Sequence, residues 1–249
     1  MNVPFQYVLR LGDNALILAQ RLGEWCGHGP VLEQDIALAN IALDQLGQAR
    51  MLLTHAGALE GLGRGEDELA YFRDAHQYTN VLLVEHPNED WAVTITRQFF
   101  FDAFNLPLYQ ALCLSSDEHL AAIAQKAVKE ITYHLRFSSE WMIRLGDGTD
   151  LSRQKMQTAV DDLWKYTGEL TTPDAVDQTA FETGLGPNLH DIRHAWDQTV
   201  TAVLFEATLT RPNETWMQTG GKQGRHTEKL GFMLAEMQHL QRTYPGQVW

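Results

Sequence analysis

Val8, Leu11, Ala15, Leu18, Leu22 and Trp25 recur at steps of three and four residues, the spacing of one face of an α-helix. Gly27-His28-Gly29-Pro30 closes that stretch, since Gly suits a helix C-cap and Pro cannot continue the helix. A second helix is predicted from about Glu33 to about Glu60, and the short connection makes the two antiparallel neighbours. Gly61 to Gly65 is a polar, glycine-rich break, residues 66–78 fit a short helix, and His86-Pro87-Asn88 signals a turn. A third helix covers about Asp90 to Leu114, with Pro107 expected to kink or split it. Ser115-Ser116-Asp117 starts a fourth, which runs to Leu145 and stops at Gly146-Asp147-Gly148. A fifth runs from the Thr149-Asp150 cap to about Leu170. Thr171 to Asn188 is looser, and another helix spans about Leu189 to Leu209. The last begins near Thr227, with Leu230, Met233, Leu234, Met237 and Leu240 on one face.

β-type alternation never persists beyond a few residues, so the class is all-α. Helices one and two form one hairpin and helices three and four another. That is the layout of a ferritin-like four-helix bundle with additional C-terminal helices. The reading is a single domain over 1–249, its core bundle at about 5–145 and its appended helices at about 149–243.

The second helix of each hairpin carries a damaged motif. A di-iron bundle needs Glu-x-x-His on each of two helices and a Glu on each of the others, about six ligands in all. Asp44-Gln45-Leu46-Gly47 keeps an acid and lacks the imidazole. Ile131-Thr132-Tyr133-His134 keeps the imidazole and lacks the acid. Asn40, Asp44, Gly47 and Met51 share a helix face, which predicts a partly buried Asp44. Asp102 sits inside the stripe Ile95, Phe99, Leu106 and Tyr109, at a level where it can meet His134, and Glu130 lies one turn before His134. Asp44, Asp102, Glu130 and His134 are thus candidates for one internal polar cluster. It is read as a relic of a ligand set, because Gly47 and Ile131 have no ligating side chain.

Bulk numbers narrow the function. The chain is 44% hydrophobic and 20% charged, ordinary for a globular protein. A net charge of −13 argues against binding a nucleic-acid backbone. Cys26 and Cys113 lack paired spacing and are expected to be reduced, buried thiols. No signal peptide and no membrane-spanning run are visible, so a cytoplasmic location is expected. His190 and His194 have the spacing of a zinc pair but no third ligand, and an exposed helix start accounts for them. The acids of Glu66–Asp74 are read as a solvated face. Hydrolase, P-loop and dinucleotide fingerprints are absent.

Against the acidic background, Gly220-Gly221-Lys222-Gln223-Gly224-Arg225 leads into a helix N-terminus. Glycine amides, the Lys222 and Arg225 charges and the free N–H groups of a helix start all favour an anion. Gly221, Lys222, Gly224 and Arg225 are the candidate contacts for a phosphate or CoA, set against an ordinary turn capped by Thr227.

Several segments together resemble one family. They are Leu9 to Asn14, Gln20 to His28, Leu43 to Arg50, Tyr133 to Ser138, Gly220-Gly221-Lys222 and His226-Thr227-Glu228. The chain resembles the C-subunit family of multicomponent phenylacetyl-CoA epoxidases nearly from end to end. The resemblance implies a ferritin-like fold and a non-catalytic structural subunit with no cofactor of its own. It implies a catalytic partner subunit that holds the di-iron centre, with electrons from NADPH through a reductase subunit, and small accessory subunits. Phenylacetyl-CoA is expected at or near the interface. Two other readings stay open on the residues alone: a single-chain metal-dependent oxidase using Asp44, Asp102, Glu130 and His134, and a free-standing helical interaction protein.

Overall fold

The computed structural model describes residues 2–213 and 216–247. Among them there is no strand, and the chain is an all-α protein of the ferritin-like bundle class. It divides into two compact units, Met1–His86 with Gly220–Trp249, and Pro87–Thr219. The sequence reading drew one domain over 1–249, with a core bundle at about 5–145 and appended helices at about 149–243; the first unit here takes the first hairpin with the C-terminal segment, and the second takes residues 87–219.

In the first unit, α1 (Val3–Gly23) packs along α2 (Leu32–Glu60). Asn2 caps α1 by accepting the Phe5 amide at 3.3 Å, and Pro4 sits at the helix start, where its missing N–H costs nothing. The helices approach closely at Gly12, where a Cβ would come 2.9 Å from Leu53 Cδ2. Gly61 ends α2 in the left-handed region at φ 74°. The short α3 (Glu66–Tyr71) follows, and then a connecting stretch to His86 that holds only short 3-10 pieces, at Ala75–Gln77 and Leu82–Glu85.

That stretch is held by polar side chains of α1. Asp13 and Arg73 are both buried. Arg73 Nη1 donates to Asp13 Oδ2 at 3.1 Å, and the Thr79 amide donates to the same oxygen at 2.8 Å. Asn14 Oδ1 accepts the Val81 amide at 2.8 Å, and Arg21 Nε donates to the Glu85 carbonyl at 3.0 Å. Burial opposes the charge on Arg73, but Asp13's charge and hydrogen bonds outweigh it and hold the guanidinium ionised.

The second unit pairs α4 (Trp91–Leu112) with α5 (Glu118–Gly146). Asp90 caps α4 through the Val93 amide at 3.1 Å, and Asp117 caps α5 through Leu120 at 2.9 Å. Pro107 was expected to kink or split its helix; the helix is not split, and α4 continues through it to Leu112. Burial of Phe104, Leu108 and Tyr109 on either side offsets the one lost hydrogen bond.

The expected fifth helix breaks at its end into α6 (Asp150–Trp164) and the one-turn α7 (Gly168–Thr171). The looser region contains α8 (Ala175–Glu182), capped by Asp174, and α9 (Leu189–Glu206) follows. Phe100, Trp164 and Trp196 form an aromatic core with centroids 5.7–6.0 Å apart, and the Trp196 indole donates to the Phe100 carbonyl at 2.9 Å. The final helix of the first unit breaks at Gln238 into α10 (Glu228–Met237) and α11 (His239–Thr243). Cys26 was expected to be buried; it lies in the exposed turns beyond α1, because that helix ends at Gly23.

Replacing Asp13 by Ala strands the Arg73 charge and the Thr79 amide in the interior. Removing one partner of a buried pair costs about 3–5 kcal/mol, which should appear as a large drop in the urea midpoint. A loss below about 1 kcal/mol would put the pair among solvated surface pairs and remove this account of the fold.

Candidate functional site

The first half of the expected relic lies on α2, and its register differs by one residue from the sequence reading. The face α2 buries is Leu38, Ile41, Gln45, Gln48, Leu52 and Ala56. Asp44 and Gly47 are half-buried at its edge, and a Cβ at Gly47 would meet nothing within 4 Å. The inward pair three residues apart is therefore Gln45 and Gln48, both fully buried, in place of Asp44 and Gly47. The Gln45 side chain makes no hydrogen bond among the described residues. The misleading signal was chemical: Asp44 is the ligand-type residue. The correct signal was present in the three- and four-residue spacing of Leu38, Ile41, Gln45, Gln48 and Leu52.

The second half lies wholly in the second unit. Asp102 on α4 and His134 on α5 are fully buried, and His134 is close enough for its charge to act on Asp102. Ile131 is buried on the same face of α5, one turn before His134. Glu130 is half-buried and acts electrostatically on Tyr109, whose phenol burial raises well above its ordinary range. Two residues that sequence reasoning missed complete the Asp102 shell. Gln98 Nε2 donates to Oδ1 at 2.7 Å, and Ser138 Oγ donates to Oδ2 at 2.9 Å. Gln98 is visible in retrospect at i−4 from Asp102; Ser138 is on another helix and is not.

Burial is the largest influence on Asp102 and pushes its pKa up to about 7, against the His134 charge and the bonds from Ser138 and Gln98, which lower it. Asp102 and His134 are two donors, where a di-iron centre needs about six. The inward α2 pair consists of neutral amides, and Ile131 offers no donor. Among the described residues no group of three or more His, Cys, Asp or Glu is placed to hold a metal ion. The donor set does not fit a di-iron centre. His190 and His194 are exposed, and His194 Nε2 lies 3.0 Å from Gln198 Nε2 on its own helix.

The glycine-rich loop is built around internal contacts. Gly220 (φ 135°) and Gly224 (φ 74°) need backbone conformations that suit glycine, and a Cβ on Gly224 would come 2.1 Å from the His76 carbonyl oxygen. Lys222 is only 7% exposed and Gly221 is buried, whereas Arg225 is exposed. The helix start that follows already has an anion. Glu85, fully buried, accepts the Thr227 amide at 2.7 Å and His226 Nδ1 at 2.9 Å, while His226 Nε2 is 2.9 Å from the Tyr78 carbonyl oxygen. A carboxylate and a carbonyl both accept, so both ring nitrogens donate and His226 is an imidazolium. Burial opposes that charge, but the bonds to Glu85 and Tyr78 and the Glu85 and Asp13 charges hold its pKa above the ordinary value.

The fold and site define a ferritin-like helical chain whose interior keeps a carboxylate and an imidazole but lacks a full ligand shell. The chain belongs to the phenylacetic acid catabolic protein family, whose model matches residues 2–249. It is 55% identical over 249 residues to the C subunit of the 1,2-phenylacetyl-CoA epoxidase of Escherichia coli (strain K12), an alignment that covers all of both chains.

A raised carboxyl pKa has a definite sign. The folded state holds a proton that the unfolded chain releases near pH 4, so Asp102 costs stability progressively from about pH 4 to about pH 7, at about 1.4 kcal/mol per pH unit. Asp102→Asn mimics the protonated form, and the Ser138 hydroxyl can turn to the Leu135 carbonyl, 3.3 Å away. The variant should gain on the wild type in urea midpoint as pH rises through that window. An equal difference at pH 5 and pH 8 would show that Asp102 does not titrate there.

Proposed function

We propose that this chain is the non-catalytic structural subunit of a phenylacetyl-CoA 1,2-epoxidase in aerobic phenylacetate degradation, working in the cytoplasm. The observation that carries the reading is the full-length identity to a protein named as the C subunit of that enzyme. The donor set supports it: a chain with amides at the inward positions of α2 leaves oxygen chemistry to a partner. In this reading the catalytic subunit holds the di-iron centre. Reducing equivalents reach it from NADPH through a reductase, and small accessory subunits complete the assembly.

The surface also suits a permanent subunit. Leu32, Ile36 and Leu43 fall on one side of α2 and are 71%, 52% and 64% exposed. Apolar stripes of this kind favour helix-on-helix association. No helix among the described residues is long and apolar enough to cross a membrane, so the stripe is not part of a span. The catalytic subunit is the partner proposed for it. At the loop, Arg225 is the exposed cation and the residue proposed to meet a CoA phosphate, with Gly221, Lys222 and Gly224 shaping the turn behind it.

The partner reading is tested by metal analysis and reconstitution. The chain alone, loaded anaerobically, should retain far less than one iron, and the catalytic subunit should turn over phenylacetyl-CoA fully only when this chain is added. About two irons per chain, or full turnover without it, would sink the reading.

The loop gives a separate test. Arg225→Ala in the assembled complex should raise KM for phenylacetyl-CoA about threefold, the scale of one exposed ionic contact, and leave kcat nearly unchanged. An unchanged KM would leave the loop as an internal turn only.

A further inference from the structure

One imidazole clasps the loop at 220–227 to the connecting stretch of the first unit. The His226 side chain is only 4% exposed, and that of Glu85 is wholly enclosed. Nδ1 lies 2.9 Å from Glu85 Oε2, and Nε2 lies 2.9 Å from the Tyr78 carbonyl oxygen, so each nitrogen must carry a hydrogen. A neutral imidazole has one N–H. Whichever nitrogen gave up its proton, its lone pair would face an oxygen at 2.9 Å with almost no access to water. The closed clasp therefore needs the second proton.

The surrounding groups favour that proton. Glu85 from the connecting stretch and Asp13 from α1 are the acids that act on the ring. The nearby cations are engaged: Arg73 donates to Asp13 at 3.1 Å, and Arg21 on α1 donates to the Glu85 carbonyl at 2.8 Å and to Glu24 at 2.7 Å. Asn80, a neutral amide, donates to Glu85 Oε2 at 3.2 Å, and burial keeps the Tyr78 phenol neutral. Arg225, Glu228 and Lys229 flank His226 in its own segment and are exposed, as is His76, whose carbonyl stands against Gly224. The far end of the segment is tied differently. Gln238 Nε2 donates to the Ala70 and Arg73 carbonyls at 3.2 and 3.0 Å, and Arg242 Nη2 donates to the Arg73 carbonyl at 2.9 Å. Leu230, Met233 and Leu234 of α10 are buried as well. Amides and guanidinium groups keep their protons through neutral and mildly alkaline pH. Among these ties, only the one at His226 titrates near neutrality.

We propose that His226 is a proton-dependent latch: the imidazolium closes the loop on Glu85 and Tyr78, and when its proton passes to solvent the loop opens, hinged on α10. Opening uncovers Lys222, which is buried in the closed loop. A histidine whose proton the fold favours gives stability that is whole below its unfolded pKa, about 6.5, and is lost as pH rises to the raised folded value. The latch is independent of the epoxidase reading, since it rests on contacts within this chain alone.

The test is amide hydrogen exchange, followed by NMR on the full-length chain from pH 6 to pH 9, with each rate divided by the intrinsic rate at that pH. The Thr227 amide, which donates to Glu85, is the reporter. Its protection should fall as pH rises above about 6.5, with a limiting slope of about tenfold per pH unit for one proton. The Gln238 amide, 2.9 Å from the Leu234 carbonyl oxygen, should stay constant. Glu85→Gln keeps an oxygen for the Thr227 amide and presents an N–H to Nδ1, so a neutral imidazole meets both partners and protection should be flat with pH. His226→Gln should also be flat, at or below the alkaline level of the wild type; if it fails to fold, Glu85→Gln decides alone. His76→Gln should follow the wild type. Flat protection in the wild type would overturn the latch, as would a wild-type slope in Glu85→Gln. So would a parallel loss at Gln238, which would mean general loosening, or loss of the slope in His76→Gln, which would assign the titration to an exposed ring.

Discussion

The architecture of the first unit depends on Asp13, a carboxylate that α1 places wholly inside the protein. A buried charge must be saturated or it destabilises the fold. Arg73 and the backbone amide of Thr79 supply that saturation, and both lie in the connecting stretch between α3 and the next helix. Satisfying Asp13 therefore fixes the path of a segment whose own helical hydrogen bonding is limited to the short 3-10 pieces Ala75–Gln77 and Leu82–Glu85. Glu85 extends the same logic to the chain's far end. Its carboxylate gathers His226 and the Thr227 amide at the start of α10. Two acids thus organise residues separated by as many as 142 positions.

Asp102 in the second unit meets the same constraint with a different answer. It receives two neutral donors, with the neighbouring His134 as the positive charge acting on it. Arginine saturates Asp13 and an imidazolium with a backbone amide saturates Glu85, whereas burial moves the Asp102 proton equilibrium to about pH 7. In a metal-binding bundle a cation would hold such a carboxylate ionised. Within the second unit, Asp102 and its neighbour His134 are two ligand-type side chains held by neutral donors and burial.

The sequence disclosed the helices because their caps and periodicities are local. Asp90, Asp117, Thr149 and Asp174 all cap helices in the structure, the first three at predicted starts and the last in a stretch read as loose. Asp102 and His134 were also legible, since each interrupts an apolar stripe. The pairs Arg73 with Asp13 and His226 with Glu85 were not, because nothing local marks a contact across 60 or 141 residues. The glycine-rich loop was read for what glycine and charge permit toward a ligand. The structure shows Gly224 serving close approach to His76 and the helix start serving Glu85.

The one-residue error on α2 has a physical cause that bears on function. A helix with a single apolar face cannot be misread in this way, because its moment points inward. α2 carries apolar residues on two sides: Leu38, Ile41 and Leu52 inside, and Leu32, Ile36 and Leu43 outside. With both sides apolar, the periodicity no longer says which is the core, and Asp44 at the boundary draws the assignment toward itself. An outer apolar stripe weakens the solubility of an isolated chain and adds nothing to its own core. Its cost is offset only when a second surface covers it. The feature that blurred the register is therefore the one expected of a helix that serves two interfaces, its own interior and a permanent neighbour.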